Sequence, residues 1–296
     1  MVRLDHISKA FAALRAVDDV SLAIRKGAIT ILTGADGAGK STVFKILVGL
    51  VKKDSGAILL NGEEIGDDYA KITSICGYMP EKFSLYTDLS VEENLNFFAA
   101  IQQVPLKRRE GLKKRLLERT GMDPFRARRA GALSGGMKQK LALSTILLSS
   151  PELIILDEPT TGVDPLSRIE FFAIIEDLKR EGKTIVMSTP YLDEAEKGDH
   201  IVFIKKGRLL RQDSIADLKK QFPARLFRIL PRENIFEAMR RVEATPGLRG
   251  QAHMRGKFIR YMQTGPENLG QLIPNLEMVE ERPTLEDMYI YYERGQ

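Results

Sequence analysis

Residues 34–42 read Gly-Ala-Asp-Gly-Ala-Gly-Lys-Ser-Thr. The apolar run 28–33 leads into them and a helical pattern over 40–50 leads out, so the glycines stand where a buried strand turns into a helix. Gly34, Gly37 and Gly39 let the backbone curl until successive N–H groups point at one anion, and the helix start adds its positive dipole end. Ala35, Asp36 and Ala38 fill the loop. Lys40 is placed to reach the outer phosphates of a nucleotide, while Ser41 and Thr42 bring hydroxyls, that of Ser41 suited to Mg²⁺. A glycine-rich turn that held nothing would not need strand, lysine, serine and helix in this order. The stretch predicts an α/β fold that binds a nucleoside triphosphate.

The flanking elements agree. Short apolar runs at 21–24, 75–79, 153–156, 184–188 and 201–204 alternate with helical patterns near 91–103, 107–119, 136–149, 166–181 and 191–197. Strands separated by helices predict a largely parallel sheet. From about 85 to 150 there is almost no strand signal, which predicts a helical insert in a nucleotide-binding domain spanning 1–220. Beyond 220, Pro223, Pro231, Pro246, Pro266, Pro274 and Pro283 punctuate shorter elements. Strands at 225–230 and 276–281, a hairpin around Arg255-Gly256 and helices at 233–243, 267–273 and 284–293 predict a small α+β accessory domain over 221–296.

A second motif, Leu-Ile-Ile-Leu-Asp-Glu-Pro at 153–159, ends a buried strand with an acidic pair. Ligands of open α/β sheets bind at that strand edge. Asp157 is placed to hold Mg²⁺ and Glu158 to act as the general base, or water-orienting group, for attack on the γ-phosphate. A capping Asp-Glu pair would explain this motif alone, but not its company with Lys40.

The segment Leu-Ser-Gly-Gly-Met-Lys-Gln-Lys at 133–140 narrows the class. Ser134-Gly135-Gly136 opening a helix just before the acidic strand resembles the signature of ATP-binding cassette (ABC) ATPases, and the resemblance covers about residues 2–220. It implies that Ser134, Gly135 and Gly136 contact ATP held by a second cassette, that Phe11 stacks on adenine, and that Asp164 belongs to a loop reaching that partner. Two positions depart from the pattern. Glu81 stands where the family has a glutamine that touches Mg²⁺, and Pro190 where it has a histidine donating to the γ-phosphate. Proline has neither a side-chain donor nor an N–H. Thr189 or Tyr191 could compensate, and the expectation is slowed rather than abolished hydrolysis.

The tail 282–295, Arg-Pro-Thr-Leu-Glu-Asp-Met-Tyr-Ile-Tyr-Tyr-Glu-Arg-Gly, and the segment 77–94 resemble exporter ATPases of the ABC-2 class, notably bacterial multidrug-efflux subunits. This implies an ATP-hydrolysing cassette, encoded alone, that drives a separate ABC-2-type permease docked near 81–94 and pairs with a second cassette, identical or, as favoured here, different. A non-hydrolysing regulatory cassette and a soluble non-transport ABC ATPase are the alternatives.

Composition is compatible with this. The 296 residues carry 43 % hydrophobic and 29 % charged side chains, an ordinary globular balance. No apolar run approaches the ~20 residues of a membrane span, and residues 1–11 lack a secretory signal. The expected location is therefore cytoplasmic, peripheral on the inner face of the membrane. Cys76, the lone cysteine, excludes an internal disulfide and reads as a small buried hydrophobe. The net charge of +5 is too weak a signal to call for a nucleic-acid partner, and none is expected.

Overall fold

The computed structural model describes every residue except Phe83, Ser84, Glu233, Pro274, Asn275, Gly295 and Gln296. It divides into two compact units, Met1–Ser214 and Ile215–Gln296.

The first unit is built on a six-stranded sheet in the order β10-β9-β3-β8-β7-β6. Its strands are β3 (Ile29–Thr33), β6 (Cys76–Met79), β7 (Leu153–Asp157), β8 (Thr184–Thr189), β9 (His200–Lys205) and β10 (Arg208–Ser214). Every residue of β3, β7 and β8 is buried, as expected for strands covered on both faces. All pairings are parallel except the β9–β10 hairpin. Helix α1 (Lys40–Leu47) lays Val43, Phe44, Ile46 and Leu47 into the core. At ~1.5–3 kcal/mol for each fully buried large apolar side chain, that face alone anchors the helix.

A second sheet, absent from the sequence reading apart from residues 21–24, is antiparallel in the order β2-β1-β4-β5. It comprises β1 (Val2–Phe11), β2 (Leu14–Ile24), β4 (Ser55–Leu60) and β5 (Glu63–Glu64). After the short α2 (Ala70–Thr73) and β6, every element named before β7 is helical. Here α3 (Val91–Ile101), α4 (Leu106–Thr120) and α5 (Gly135–Ile146) form the insert. Ser90 and Glu93 close a reciprocal capping box on α3, while α6 (Pro165–Arg180) and the one-turn α7 (Leu192–Ala195) flank β8. Burial pushes the Cys76 thiol up to about 12, so it is not a nucleophile at neutral pH. Among the described residues no helix is long and apolar enough to cross a membrane.

The second unit opens with α8 (Ile215–Lys220) and holds an antiparallel sheet in the order β12-β13-β11-β14. Its strands are β11 (Arg225–Leu230), β12 (Gly250–Arg255), β13 (Phe258–Gln263) and β14 (Glu277–Glu281), with helices α9 (Ile235–Ala244), α10 (Leu269–Leu272) and α11 (Leu285–Arg294). The start of α11 explains the Pro-Thr-Leu-Glu-Asp run of the tail. Thr284 N–H and Oγ1 donate to Asp287 Oδ2 at 2.8 and 2.7 Å, a capping box with a buried member. Arg260 on β13 donates to both oxygens of the same carboxylate, each at 2.8 Å. Burial opposes ionisation of Asp287, but the surrounding His253, Thr284 and Arg260 outweigh it and hold the carboxyl well below the usual range.

This pair sets an acid limit on the second unit. Because the folded pKa is depressed, its contribution is complete above the ordinary carboxylate value near ~4 and fades as pH falls through the lower folded value. Asp287→Asn strands a buried guanidinium and is expected to cost ~3–5 kcal/mol at neutral pH. Urea melts followed by tyrosine fluorescence, in a chain without tryptophan, measure both effects; an unchanged midpoint would refute this account.

Candidate functional site

Because β6, β7, β8 and β3 run parallel side by side, the loops leaving their C-terminal ends emerge on one edge of the sheet. Residues 34–39 follow β3, Glu81 follows β6, Glu158 follows β7, and Pro190 follows β8. Gly39 caps α1 at φ 105°, a left-handed conformation that glycine adopts without strain. No side chain accepts from the helix's first N–H groups, which leaves those donors to a ligand.

Lys40 is 3 % exposed. Its Nζ donates to the carbonyls of Gly34 at 2.9 Å and Ala35 at 3.2 Å, and Glu158 Oε1 lies 3.1 Å away. Asp157, the last residue of β7, is 1 % exposed. Its Oδ1 accepts from Ser41 Oγ at 3.0 Å and Ser188 Oγ at 2.7 Å. Ser188 in turn accepts from the Glu158 N–H at 2.9 Å. Glu158 sits at φ 48°, a conformation rare for a residue with a side chain. The hydroxyl and carboxylate oxygens of Ser41 and Asp157 are hard donors of the kind Mg²⁺ prefers, so the residues fit that ion.

Of these groups Lys40, Ser41 and Glu158 open onto a cleft of about 690 Å³, lined also by Phe11, Arg15, residues 36–39, Thr42, Glu81 and Lys206. Phe11, at the end of β1, is 46 % exposed and therefore no core residue. Glu81 also borders a second cavity of about 400 Å³ shared with Gly135, Lys138 and Gln139. Beside it, burial and the charges of Asp157 and Glu81 hold the Tyr78 hydroxyl above its ordinary range.

Ser134, Gly135 and Gly136 do not line the first cleft. Within this chain Ser134 is the N-cap of α5, its Oγ accepting from Met137 N–H at 3.3 Å. A Cβ on Gly136 would fall 2.4 Å from Ser167 Cβ, so this glycine is needed for α5 to meet α6. Asp164 is the N-cap of α6, accepting from Ser167 N–H at 3.0 Å. Each therefore has a structural task independent of any partner.

Pro190 lies between β8 and α7 and does not line the cleft either. Of the two candidate substitutes, Thr189 is engaged elsewhere and the Tyr191 ring is stacked. Thr189 Oγ1 donates to Glu194 Oε2 at 2.6 Å and accepts from Tyr191 N–H at 3.1 Å. The ring of Tyr191 lies under Arg168, 4.4 Å from centroid to guanidinium.

Known proteins resemble this chain in sequence and fold. The sequence profile described as ABC transporter matches residues 17–161. The chain is similar to the probable multidrug ABC transporter ATP-binding protein YbhF of Escherichia coli K12, 36 % identical over 298 residues that cover 98 % of this chain and 51 % of that protein. It is 34 % identical to the human phospholipid-transporting ATPase ABCA3 over 228 residues, covering 75 % of this chain and 13 % of that one. The chain thus spans about half the length of the first relative and less of the other. A solved ATP-binding subunit of an ABC transporter superposes with a TM-score of 0.66 at 30 % identity, over 75 % of this chain and 93 % of that one. CbiO1 from Clostridium perfringens superposes equally, 0.66, at 25 % identity, over 75 % and 91 %. The chain belongs to the ABC transporter family.

Four polar residues of this ABC cassette escaped sequence reasoning: Ser188, Thr160, Arg168 and Glu194. Glu194 is 2 % exposed, and its Oε2 accepts from Thr160 as well as Thr189, at 2.7 Å and 2.6 Å. Arg168 donates from Nε to the Val163 carbonyl at 2.9 Å and faces Glu194 Oε1 at 3.7 Å. The loop before α6 is thus tied to the Pro190 loop through one buried carboxylate. Only the short spacing of Glu194 from Pro190 could have signalled it.

The Gly136–Ser167 contact is directly testable. Gly136→Ala is expected to destabilise the ligand-free cassette by ~1–3 kcal/mol through overpacking. Adding Ser167→Gly should recover part of the loss, read as coupling in thermal melts of the double-mutant cycle. Strict additivity would show that the two helices do not meet at this contact.

Proposed function

We propose that this chain is the ATP-binding and ATP-hydrolysing subunit of a membrane exporter, working from the cytoplasmic face on a separate ABC-2-type permease. One observation carries the reading: Lys40, Ser41 and Glu158 converge in one cleft with the buried Asp157 bonded to Ser41 behind them, while Ser134-Gly135-Gly136 of the same chain does not line it. A cradle that holds phosphates but lacks its signature is half of a composite site, and a second cassette supplies the other half. The likeness to a probable multidrug ABC transporter ATP-binding protein supports export as the process served.

ATP binds with its phosphates on the N–H groups of residues 34–42. Lys40 exchanges the Gly34 and Ala35 carbonyls and Glu158 for phosphate oxygens, which frees the Glu158 carboxylate. Ser41 and Asp157 would hold Mg²⁺, which would supply positive charge to the phosphate oxygens. Glu158 accepts a proton from the attacking water as oxygen bonds to the γ-phosphorus and the bond to the bridging oxygen breaks, giving ADP and phosphate. Lys40→Ala should abolish binding in calorimetric titration with ATP, whereas Glu158→Gln should keep binding and trap a cassette dimer in size exclusion. Unchanged affinity in the first variant would sink the assignment.

Pro190 withholds one donor from this site, and Thr189 is not free to replace it. The chain is expected to turn over slowly alone and to pair with a different cassette whose own cleft is served by this chain's signature. Restoring the donor with Pro190→His should raise the isolated chain's rate by up to ~10- to 150-fold, the value of one charge-assisted hydrogen bond in the transition state. Brisk turnover by the wild-type chain, indifferent to that change, would favour a homodimer.

The permease contact is assigned to the segment around 81–94. Phe83 lies outside the described residues. Tyr86 is 47 % exposed and packs edge-on against Phe97 at 4.4 Å. Its backbone is held on both sides by the buried Asn94 side chain, at 3.0 Å each way, so Tyr86 would present a fixed aromatic edge to a docking partner.

A further inference from the structure

The turn joining β9 to β10 consists of Lys206 and Gly207, at φ 48° and 79°. Two successive positive φ values define the tight hairpin turn that matches strand twist, and its first position favours Asn, Asp or Gly. A lysine there carries a steric penalty that any of those three would reduce. Residues kept in costly conformations invite a search for what they do.

The surroundings of the turn answer that search. Gly207 N–H donates to the carbonyl of Ala38, inside the phosphate loop, at 2.9 Å, and the Gly207 carbonyl accepts from Asp18 N–H at 2.8 Å. A Cβ at Gly207 would stand 2.9 Å from the Ala16 carbonyl oxygen, so the contact is close as well as bonded. The turn is thereby fastened to the phosphate loop, and Lys206 is delivered to the wall of the cleft that holds Lys40, Ser41 and Phe11.

Charge pairing sharpens the point. Arg15, on the same cleft wall, and Arg208, just past the turn, are both occupied by Asp18, at 2.7 and 2.6 Å. Among the described residues no carboxylate pairs with Lys206, which is exposed. An exposed turn lysine ordinarily does nothing beyond solvation. Here a cation without a partner is held at a strained position by hydrogen bonds to the loop that cradles phosphate.

We propose that Lys206 is a nucleotide-contact residue, a second cation beside Lys40 whose ammonium meets the phosphate chain of ATP in this cleft. The inference rests on the ATP-binding reading above. It assigns the β9–β10 turn to the substrate site and makes affinity depend on the number of phosphates.

Lys206→Asn separates charge from fold, because asparagine suits the turn better than lysine does. The ligand-free variant should melt at or above the wild-type temperature. Calorimetric titration should then show ATP and ADP binding weakened by ~3- to 10-fold, between the value of an exposed ion pair and the lower limit for a charge-assisted hydrogen bond. Adenosine should bind both proteins alike, and Lys206→Arg should restore ATP affinity to within about twofold. A stable Lys206→Asn protein with unchanged ATP affinity, or one that loses adenosine and ATP equally, would overturn the proposal. Lys40→Ala, run alongside, keeps the two readings apart. If it too leaves ATP affinity intact, the cleft itself has been misassigned; if it abolishes binding while Lys206→Asn does not weaken it, only the role of Lys206 falls.

Discussion

Asp157 has one carboxylate oxygen that two hydroxyls reach from different elements, Ser41 from α1 and Ser188 from β8. That junction joins the start of α1, the end of β7 and the end of β8 at one buried group. A carboxylate buried at the end of an apolar strand is costly unless hydrogen-bonded, and its partners arrive only because β7 pairs with β8, and β8 with β3, in parallel. Parallel pairing aligns the ends of these strands, with Asp157 opposite Ser188 and Thr33 opposite Thr189. The phosphate loop, the acidic pair and the Pro190 loop are consequences of that one alignment.

Several residues with a role in the composite-site reading also have a task inside this chain. Ser134 and Asp164 cap the helices they begin, and Gly136 lets those helices touch. This economy has a physical advantage. A side chain already fixed by capping loses little freedom when it meets a partner, so on that reading the surface that a second cassette would meet is ordered beforehand. Glu194 extends the same logic, tying the loop before α6 to the loop of Pro190 through hydrogen bonds that span 34 residues to Thr160 and five to Thr189.

The antiparallel sheet shows why a pattern can be present and still not read. Along β1 the inward residues are Val2 and Leu4, then Ile7; along β2 they are Val17, then Val20, Leu22 and Ile24. Each strand changes phase at a residue of positive φ, His6 at 51° and Asp19 at 56°. The register shifts between Leu4 and Ile7 accordingly. A period-2 scan loses the alternation at each such bulge, although the two bulged residues bond to each other at 2.7 Å.

Local order alone determined the parallel strands, the glycine-rich loop between β3 and α1, the acidic pair at the end of β7 and the start of α5, because each is a contiguous run whose spacing matches one backbone geometry. The elements of the second unit were legible too, since prolines and turn residues delimit them. Tertiary structure decided the rest: that Asp287 is the buried partner of Arg260, 27 residues away, that Thr189 is committed to Glu194, and that Lys206 lines the same cleft as Lys40. Those facts depend on which chain ends meet across a sheet. Contacts between residues distant in sequence are set by the packing of whole elements, and no local period carries that information.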